Sequence, residues 1–370
     1  MRTVRRLLYR DIVSSVFFVA LAFLSLFYFI DVVDSMDDIG RGGRSFGGVV
    51  MTAALELPGH FYELFPIAVL IGTIYSLARM AQSSEFTILR TGGLGPARAL
   101  RLLATLGIAF GALTFVVGDY VAPASERQAV LLRASSSGGL RIDGAGAWLK
   151  EKRPGPDGEH SFSINLAGTS ASGALRGIRI FEFDAAGRLV AQITAREGRV
   201  AADGTWTLLD ADVTHWPLAG QTVDDRVREQ RLPELRWAST LTPAVVAAAV
   251  LPVNTMTTAE LWRYSRHLSH QEQAAQGHQI RFWQKALYPL ACLVMVALAL
   301  PFAYLHARAG GLSLKVFGGI MLGISFVLLN NLAGHIGLLR DWTPWVVAAA
   351  PSLLYLLLSM AAFTWLVRFR

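Results

Sequence analysis

The run IVSSVFFVALAFLSLFYFIDVV, residues 12–33, carries one charged side chain, Asp31, close to its far end. A helix crosses the hydrocarbon core of a bilayer with about 20 mostly apolar residues, so this run is predicted to span a membrane. Its apolar part is too long for a secretory signal and no small-x-small cleavage site follows it, so no cleaved leader is expected. Five further runs of the same kind lie at about 49–78, 102–122, 286–305, 316–339 and 344–367. Composition agrees. The chain has 370 residues, of which 53% are hydrophobic and 16% charged, with a mean hydropathy of +0.42. A soluble domain carries about 25% charged residues. These values exclude an ordinary cytosolic enzyme and any disordered or fibrous class. Cys292 is the only cysteine, so an internal disulfide and a cysteine-based metal cage are both excluded.

Residues 123–281 differ in kind. They hold 18 Lys/Arg and 17 Asp/Glu, more than half of the charges in the chain. Within them the local period is two. Gly177-Ile178-Arg179-Ile180-Phe181-Glu182-Phe183 alternates apolar and polar side chains, and 189–193 and 205–209 repeat the pattern. Asp184-Ala185-Ala186-Gly187 and Asp203-Gly204 mark turns between these strands. Short strands at roughly ten-residue spacing predict an antiparallel sandwich or jelly roll, whose open edges suit strand addition by a partner. Helices should flank it at 124–134 and 257–283, the latter capped by Thr257-Thr258-Ala259-Glu260. The expected fold class is therefore membrane α-helical, with six transmembrane helices and an inserted all-β, jelly-roll-like domain. The expected domains are 1–122 with a cytoplasmic helix at about 83–91, then 123–281, then 282–370.

Orientation follows from the short loops. Arg2, Arg5, Arg6, Arg10, Arg79, Arg90, Arg98, Arg101, Arg308, Lys315, Arg368 and Arg370 face only the two acids Asp11 and Glu85 in alternate segments. The other short loops hold Arg41, Arg44 and Arg340 against Asp34, Asp37, Asp38 and Asp341. Both termini are predicted cytoplasmic, with the strand-rich domain on the opposite side. This topology accounts for the formal charge of +7, and no clustered basic face of a nucleic-acid binder is evident.

The chain lacks the phosphate-binding Gly-x4-Gly-Lys-Ser/Thr loop, His-Glu-x-x-His and Gly-x-Ser-x-Gly. His267, His270 and His278 are read as solvated histidines, since a metal site asks for a further His or carboxylate. Glu56 and Glu63 lie seven residues apart on one face of the second span. Intramembrane carboxylates are often functional. A proton relay needs more ionisable groups than the neighbouring His60 supplies, so interfacial or gate-lining roles are expected. Between spans two and three, Ser83 and Ser84 are N-cap candidates and Gly92 is a stop signal. The short amphipathic helix between them reads equally well as an interfacial connector or as a segment that docks in a groove on a soluble partner. In span five, Gly319-x3-Gly323 permits close helix approach, either within the chain or at a movable interface; Gly107-x3-Gly111 in span three is open to the same two readings.

Leu57-Pro58-x7-Pro66, Leu70-x-Gly72-x-x-Tyr75-x-x-Ala78-Arg79-Met80-Ala81-Gln82-x-Ser84-Glu85 and Gly92-Gly93 resemble the LptF/LptG permeases, the membrane subunits of the lipopolysaccharide-export ABC transporter. So do Val121-Ala122-Pro123, Ala147-Trp148-Leu149-Lys150 and Phe282-Trp283-x-Lys285-x3-Pro289, and the resemblance covers essentially the whole chain. The 81–85 and 283–289 stretches are closer to the LptG branch than to the LptF branch. The resemblance implies a heterodimer of two permeases above an LptB ATPase dimer, in the bacterial inner membrane. Lipopolysaccharide would enter from the outer leaflet and leave through the periplasmic β domain to LptC and the bridge to the outer membrane. It implies ATPase coupling through Ser84, Glu85, Phe86, Leu89 and Arg90. No cofactor is expected on this chain, because ATP and magnesium would bind the partner ATPase.

Substrate contacts are expected from Asp31, Asp34, Asp37, Arg41, Arg44, Glu56, Phe61, Phe65, Arg127, Arg133, Asn330, Asn331 and His335, with Gly319 and Gly323 in gate packing. One departure stands out. The family places lysines near the outer end of span one, where this chain has Asp31, Asp37 and Asp38. Cation bridging, a shift of phosphate contacts to Arg41, Arg44 and Arg133, a different lipid, or a plain solvated acidic loop are the available readings. Besides a permease, the residues also admit a non-transporting membrane-anchored scaffold or a lipid-modifying membrane enzyme, and within the family the LptF partner. The enzyme reading has only the Asp31–Asp38 cluster to offer as chemistry.

Overall fold

The computed structural model describes every residue except 1, 40–44, 84, 86–87, 89–90, 92–94, 137–139, 142–145, 156–157, 171–173, 202, 218–226, 251, 271–274, 305–310 and 369–370. The contacts divide the chain into two compact units. One comprises Met1–Asp34, Ala53–Ser125 and Gln276–Arg370; the other comprises Ser35–Thr52 and Glu126–Ala275.

The first unit holds α1 (Arg2–Asp34), most of α2 (Phe46–Gln82), α3 (Pro96–Val116), α7 (Gln276–Tyr304), α8 (Leu312–Leu339) and α9 (Pro344–Arg368). Among the described residues, six helices are long and apolar enough to cross a membrane. Helix α2 continues through Pro58 and Pro66, which membrane helices tolerate where neighbouring groups satisfy the freed carbonyls. Helix α1 turns Leu8, Ile12, Val16 and Ala20 inward, four residues apart, one stripe of a helix. At Gly72 a Cβ would stand 2.6 Å from the Val16 backbone. That backbone cannot step aside, so α1 and α2 meet this closely only over a glycine. Leu70, Ile74, Leu103, Met295 and Ala299 complete the apolar interior.

The second unit holds α4 (Ala122–Ser136) after its first residues, then seven strands: β1 (Leu140–Arg141), β2 (Ala147–Gly155), β3 (Gly158–Thr169), β4 (Leu175–Phe183), β5 (Leu189–Val200), β6 (Thr205–His215) and β7 (Arg228–Ala238). Helices α5 (Pro243–Val250) and α6 (Thr258–His270) follow. The helix expected over 257–283 is two helices, α6 and α7, belonging to different units. The sheet is antiparallel throughout, and from β2 to β7 each strand pairs with the next. The inserted all-β domain is thus present. Its strand order is an open meander, a simpler connectivity than the jelly roll expected.

The meander is creased. Ala167, Gly177, Arg196, Asp210 and Pro233 stand opposite one another across β3 to β7, and each of these pairs is missing from the ladder. Gly177 has φ +58° and Asp210 φ +52°, the left-handed region that extended strands avoid. The buried parity flips at this line. In β6 Trp206 and Leu208 face inward before it, and Ala211 and Val213 after it; in β4 Leu175 gives way to Ile178 and Ile180. Bends of this kind let one sheet enclose an interior as two half-sheets would. Trp206 meets Trp237 edge-on at 5.7 Å between ring centres, and α5 adds Val246 and Val250 to the same core.

The outer strands are tied at one end. Buried Glu151 of β2 accepts hydrogen bonds from the Ser239 hydroxyl and the Thr240 N–H, both at 2.7 Å, just beyond β7. Arg153 donates to the Ala238 carbonyl and lays its guanidinium over Phe162, 3.9 Å from the ring centre.

Candidate functional site

The expected substrate-contact residues separate once their partners are visible. At the end of α1, Asp31 Oδ2 lies 2.7 Å from His60 Nε2 of α2, and the Phe27 ring lies against that imidazole at 5.2 Å. The Asp31 carboxylate is therefore occupied within the chain and is not a free acid facing a lipid phosphate. Asp34 and Asp37 are exposed, and Glu56 is half-buried on α2. Phe61 stacks on Phe65 at 4.5 Å, but Phe65 is only 1% exposed, wedged edge-on against Phe17 and Phe110. Phe65 is a core residue, and in this arrangement it offers no lining surface.

Arg127 is also occupied. On α4 it donates to the Thr255 carbonyl at 3.0 Å and pairs with Glu260. Glu260 accepts from the Thr257 N–H at 2.8 Å while its own N–H donates to the Thr257 hydroxyl at 3.2 Å. This is a reciprocal cap at the start of α6, read correctly from the sequence, and Arg127 is its counter-charge. Burial works against ionisation of Glu260. The Thr257 hydrogen bonds and the Arg127 charge outweigh it and hold the carboxyl below its ordinary value. Arg133 is half-buried in the last turn of α4. Arg41 and Arg44 lie outside the described residues.

On α8, Asn330 is half-buried, with its carbonyl accepting from Gln284, whereas Asn331 and His335 are exposed. His335 Nδ1 is 2.9 Å from the Asn331 carbonyl. A Cβ on Gly319 would stand 2.7 Å from Ile74 Cδ1, and one on Gly323 would stand 2.8 Å from Ile67 Cγ2. Both glycines seat α8 on α2 of the same chain, the first of the two arrangements that their spacing allows. The opposite face of α8 is the uncovered one, with Leu314, Phe317, Met321, Ile324 and Leu328 exposed at alternating three- and four-residue spacing.

At the other end of α2, Asp11 of α1 pairs with Arg79 and accepts from the Ser76 hydroxyl at 2.6 Å. The helix expected over 83–91 is partly described. Glu85, Ile88 and Thr91 are helical, and both Glu85 and Ile88 are exposed, Ile88 at 66%. Ser84, Phe86, Leu89 and Arg90 lie outside the described residues. An acid beside a bare isoleucine presents the mixed surface that a protein groove takes. The partnerships of Asp31 with His60 and of Arg127 with Glu260 carried no local signal, because the paired residues are 29 and 133 positions apart.

The sequence profile described as "Lipopolysaccharide export system permease LptF/LptG" matches residues 6–366. The chain is 25% identical over 358 residues to the lipopolysaccharide export system permease protein LptG of Escherichia coli strain K12, covering 95% of each. It is 24% identical over 359 residues to the protein of the same name from Haemophilus influenzae, covering 96% of each. Six membrane-length helices, the inserted antiparallel sheet and a match along nearly the whole length lead to one assignment: the chain belongs to the LptF/LptG family of lipopolysaccharide export system permeases.

Proposed function

We propose that this chain is the LptG-type permease subunit of an ABC transporter that lifts lipopolysaccharide from the outer leaflet of the bacterial inner membrane. An LptF-type permease completes the cavity, and an LptB-type ATPase dimer supplies the energy. The β domain hands the lipid to LptC and the periplasmic bridge. The observation that carries this reading is the end-to-end similarity to two proteins named LptG. The basic residues of alternate loops support cytoplasmic termini and a periplasmic β domain.

The motion is driven through the helix around Glu85. Closure of the ATPase pushes this exposed segment, and the Asp11–Arg79 clamp at the base of α1 and α2 passes the push into the membrane bundle. Lipid phosphate falls to the basic residues Arg41, Arg44 and Arg133, in place of the lysines that the family carries where this chain has Asp31, Asp37 and Asp38. This chain supplies the cavity wall and the lever, and hydrolysis belongs to the partner.

Co-expression with LptB-type and LptF-type partners tests the reading. The wild-type chain is expected to co-purify with the ATPase, and Glu85→Arg to abolish that capture while leaving the permease pair intact. Capture of a second LptG-type chain in preference to an LptF-type chain would instead favour the LptF assignment. Lipid export by the reconstituted chain without any ATPase refutes the proposal, and so does an ATPase complex indifferent to Glu85→Arg.

A further inference from the structure

Between α3, α7 and α9 lies a cavity of about 260 Å³. Its wall is apolar, built on Leu103, Ala104, Val296, Ala297, Met360 and Phe363. The Thr364 hydroxyl at its edge is already committed to the Met360 and Ala361 carbonyls. Ser359 adds one more hydroxyl to the lining, but water needs two to four polar partners to stay in such a space, more than this wall supplies. The cavity opens sideways, where Leu100 is 41% and Met360 57% exposed on helices of membrane length. In a bilayer an opening between such helices would face hydrocarbon. A dry engineered cavity of roughly 150 Å³ takes up benzene, so this larger one has room for a stretch of acyl chain.

The polar part of the ligand is indicated by the surroundings. The lining residues come from the first turns of α3 and the last turns of α7 and α9. The cavity therefore lies at the end of the bundle that carries Arg98 and Arg101. Arg101 is exposed and three residues before Ala104, on the same side of α3. Helix α3 follows Gly95 without a side-chain cap; Pro96 has no N–H and the Arg98 and Ala99 N–H groups donate to the Gly95 carbonyl, so the attraction for an anion comes from the arginine charge. We propose that this cavity holds one acyl chain of an anionic membrane phospholipid, with its phosphate against Arg101. This is a resident lipid, separate from any exported one, and the inference depends only on the membrane-embedded bundle.

The test uses the full chain purified in mild detergent, given equal amounts of phosphatidylglycerol and phosphatidylcholine, with bound lipid counted by native mass spectrometry. Wild type is expected to retain phosphatidylglycerol with about tenfold preference, the factor one charged contact supplies. Ala104→Leu with Ala297→Leu fills the cavity and is expected to remove the lipid while the protein still melts cooperatively. Arg101→Gln keeps the cavity and is expected to bring the headgroup preference close to one. Retention of lipid by the filled variant overturns the proposal, as does a wild type without headgroup preference. If the filled variant fails to fold, Arg101→Gln decides alone: unchanged preference overturns the idea. Displacement of the lipid by millimolar inorganic phosphate would show a bare anion site and overturn the acyl-chain assignment. Loss of the lipid from an intact permease pair would show that a partner helix fills the space, with the same consequence.

Discussion

Substituting the three clustered glycines of α8 one at a time by alanine tests how that helix is seated. A Cβ on Gly318 would meet nothing within 4 Å. Alanine there gains only helix propensity, about 1 kcal/mol relative to glycine in a helix interior. At Gly319 the new Cβ stands 2.7 Å from Ile74 Cδ1, about 1 Å inside an ordinary carbon contact. Cδ1 is the free end of a side chain, so rotation about its last bond relieves the clash for about 0.5–1.5 kcal/mol. The net effect should be close to zero. At Gly323 the new Cβ stands 2.8 Å from Ile67 Cγ2. That methyl is fixed to Cβ, and χ1 of a helical isoleucine has essentially one rotamer. Relief requires the helices to separate, an overpacking cost of about 1–3 kcal/mol. The expected order of stability is Gly318→Ala above wild type, Gly319→Ala near it, and Gly323→Ala lowest, up to about 2 kcal/mol below wild type. Unfolding by SDS titration in mixed micelles, followed by circular dichroism, measures this order. Ile67→Ala combined with Gly323→Ala should show a favourable coupling of about 1 kcal/mol. If Gly323→Ala is as stable as Gly318→Ala, α8 does not pack on α2 through this glycine, and the assignment fails.

Three further predictions concern the second unit, each read by thermal unfolding of the purified full chain. Glu151→Gln loses one acceptor oxygen and leaves Arg153 beside a neutral amide; a cost of about 2–3 kcal/mol is expected, and a change below a tenth of that would show that the tie between β2 and β7 is idle. Glu260 has its carboxyl held below the ordinary value, so its contribution is complete at neutral pH and fades as pH falls through the folded value. Stability should therefore drop below about pH 4, and Glu260→Gln should lower stability at neutral pH by about 1 kcal/mol and flatten that drop. Asp210→Val forces a β-branched side chain into φ +52° and should cost about 1–2 kcal/mol, whereas Asp210→Gly should be nearly neutral because it trades strain relief against loss of the exposed ion pair that Asp210 makes with Arg196 at 2.6 Å; equal effects would mean that the crease does not need a left-handed residue.

The fold class was open to reading because partition between water and hydrocarbon acts on each stretch separately. Six apolar runs, a period of two between them, the Asp184–Gly187 turn and the Thr257–Glu260 cap are all local patterns, and each of them appears where it was expected. Ser83, Ser84 and Gly92 marked a short helix between two spans in the sequence, whereas a coupling role for it came only from the family resemblance. The crease had a faint trace. Leu208-Leu209-Asp210-Ala211 interrupts the alternation of β6, and Gly177 does the same in β4. That five such interruptions align across the sheet depends on strand register, which no single strand carries.

The sequence by itself determined what must leave water, what must stay in it, and where the chain turns, since these follow from side-chain chemistry at near neighbours. The tertiary structure alone decided which groups are paired within the chain. Asp31 is paired with His60 and Arg127 with Glu260, although both had been expected to contact substrate, and of the two readings open for the α8 glycines the structure shows them against α2. It alone also opened the cavity between α3, α7 and α9. Such pairings join residues tens to hundreds of positions apart, and Coulomb attraction, hydrogen bonding and close packing act over a few ångströms, so they exist only once the helices and strands have been brought together.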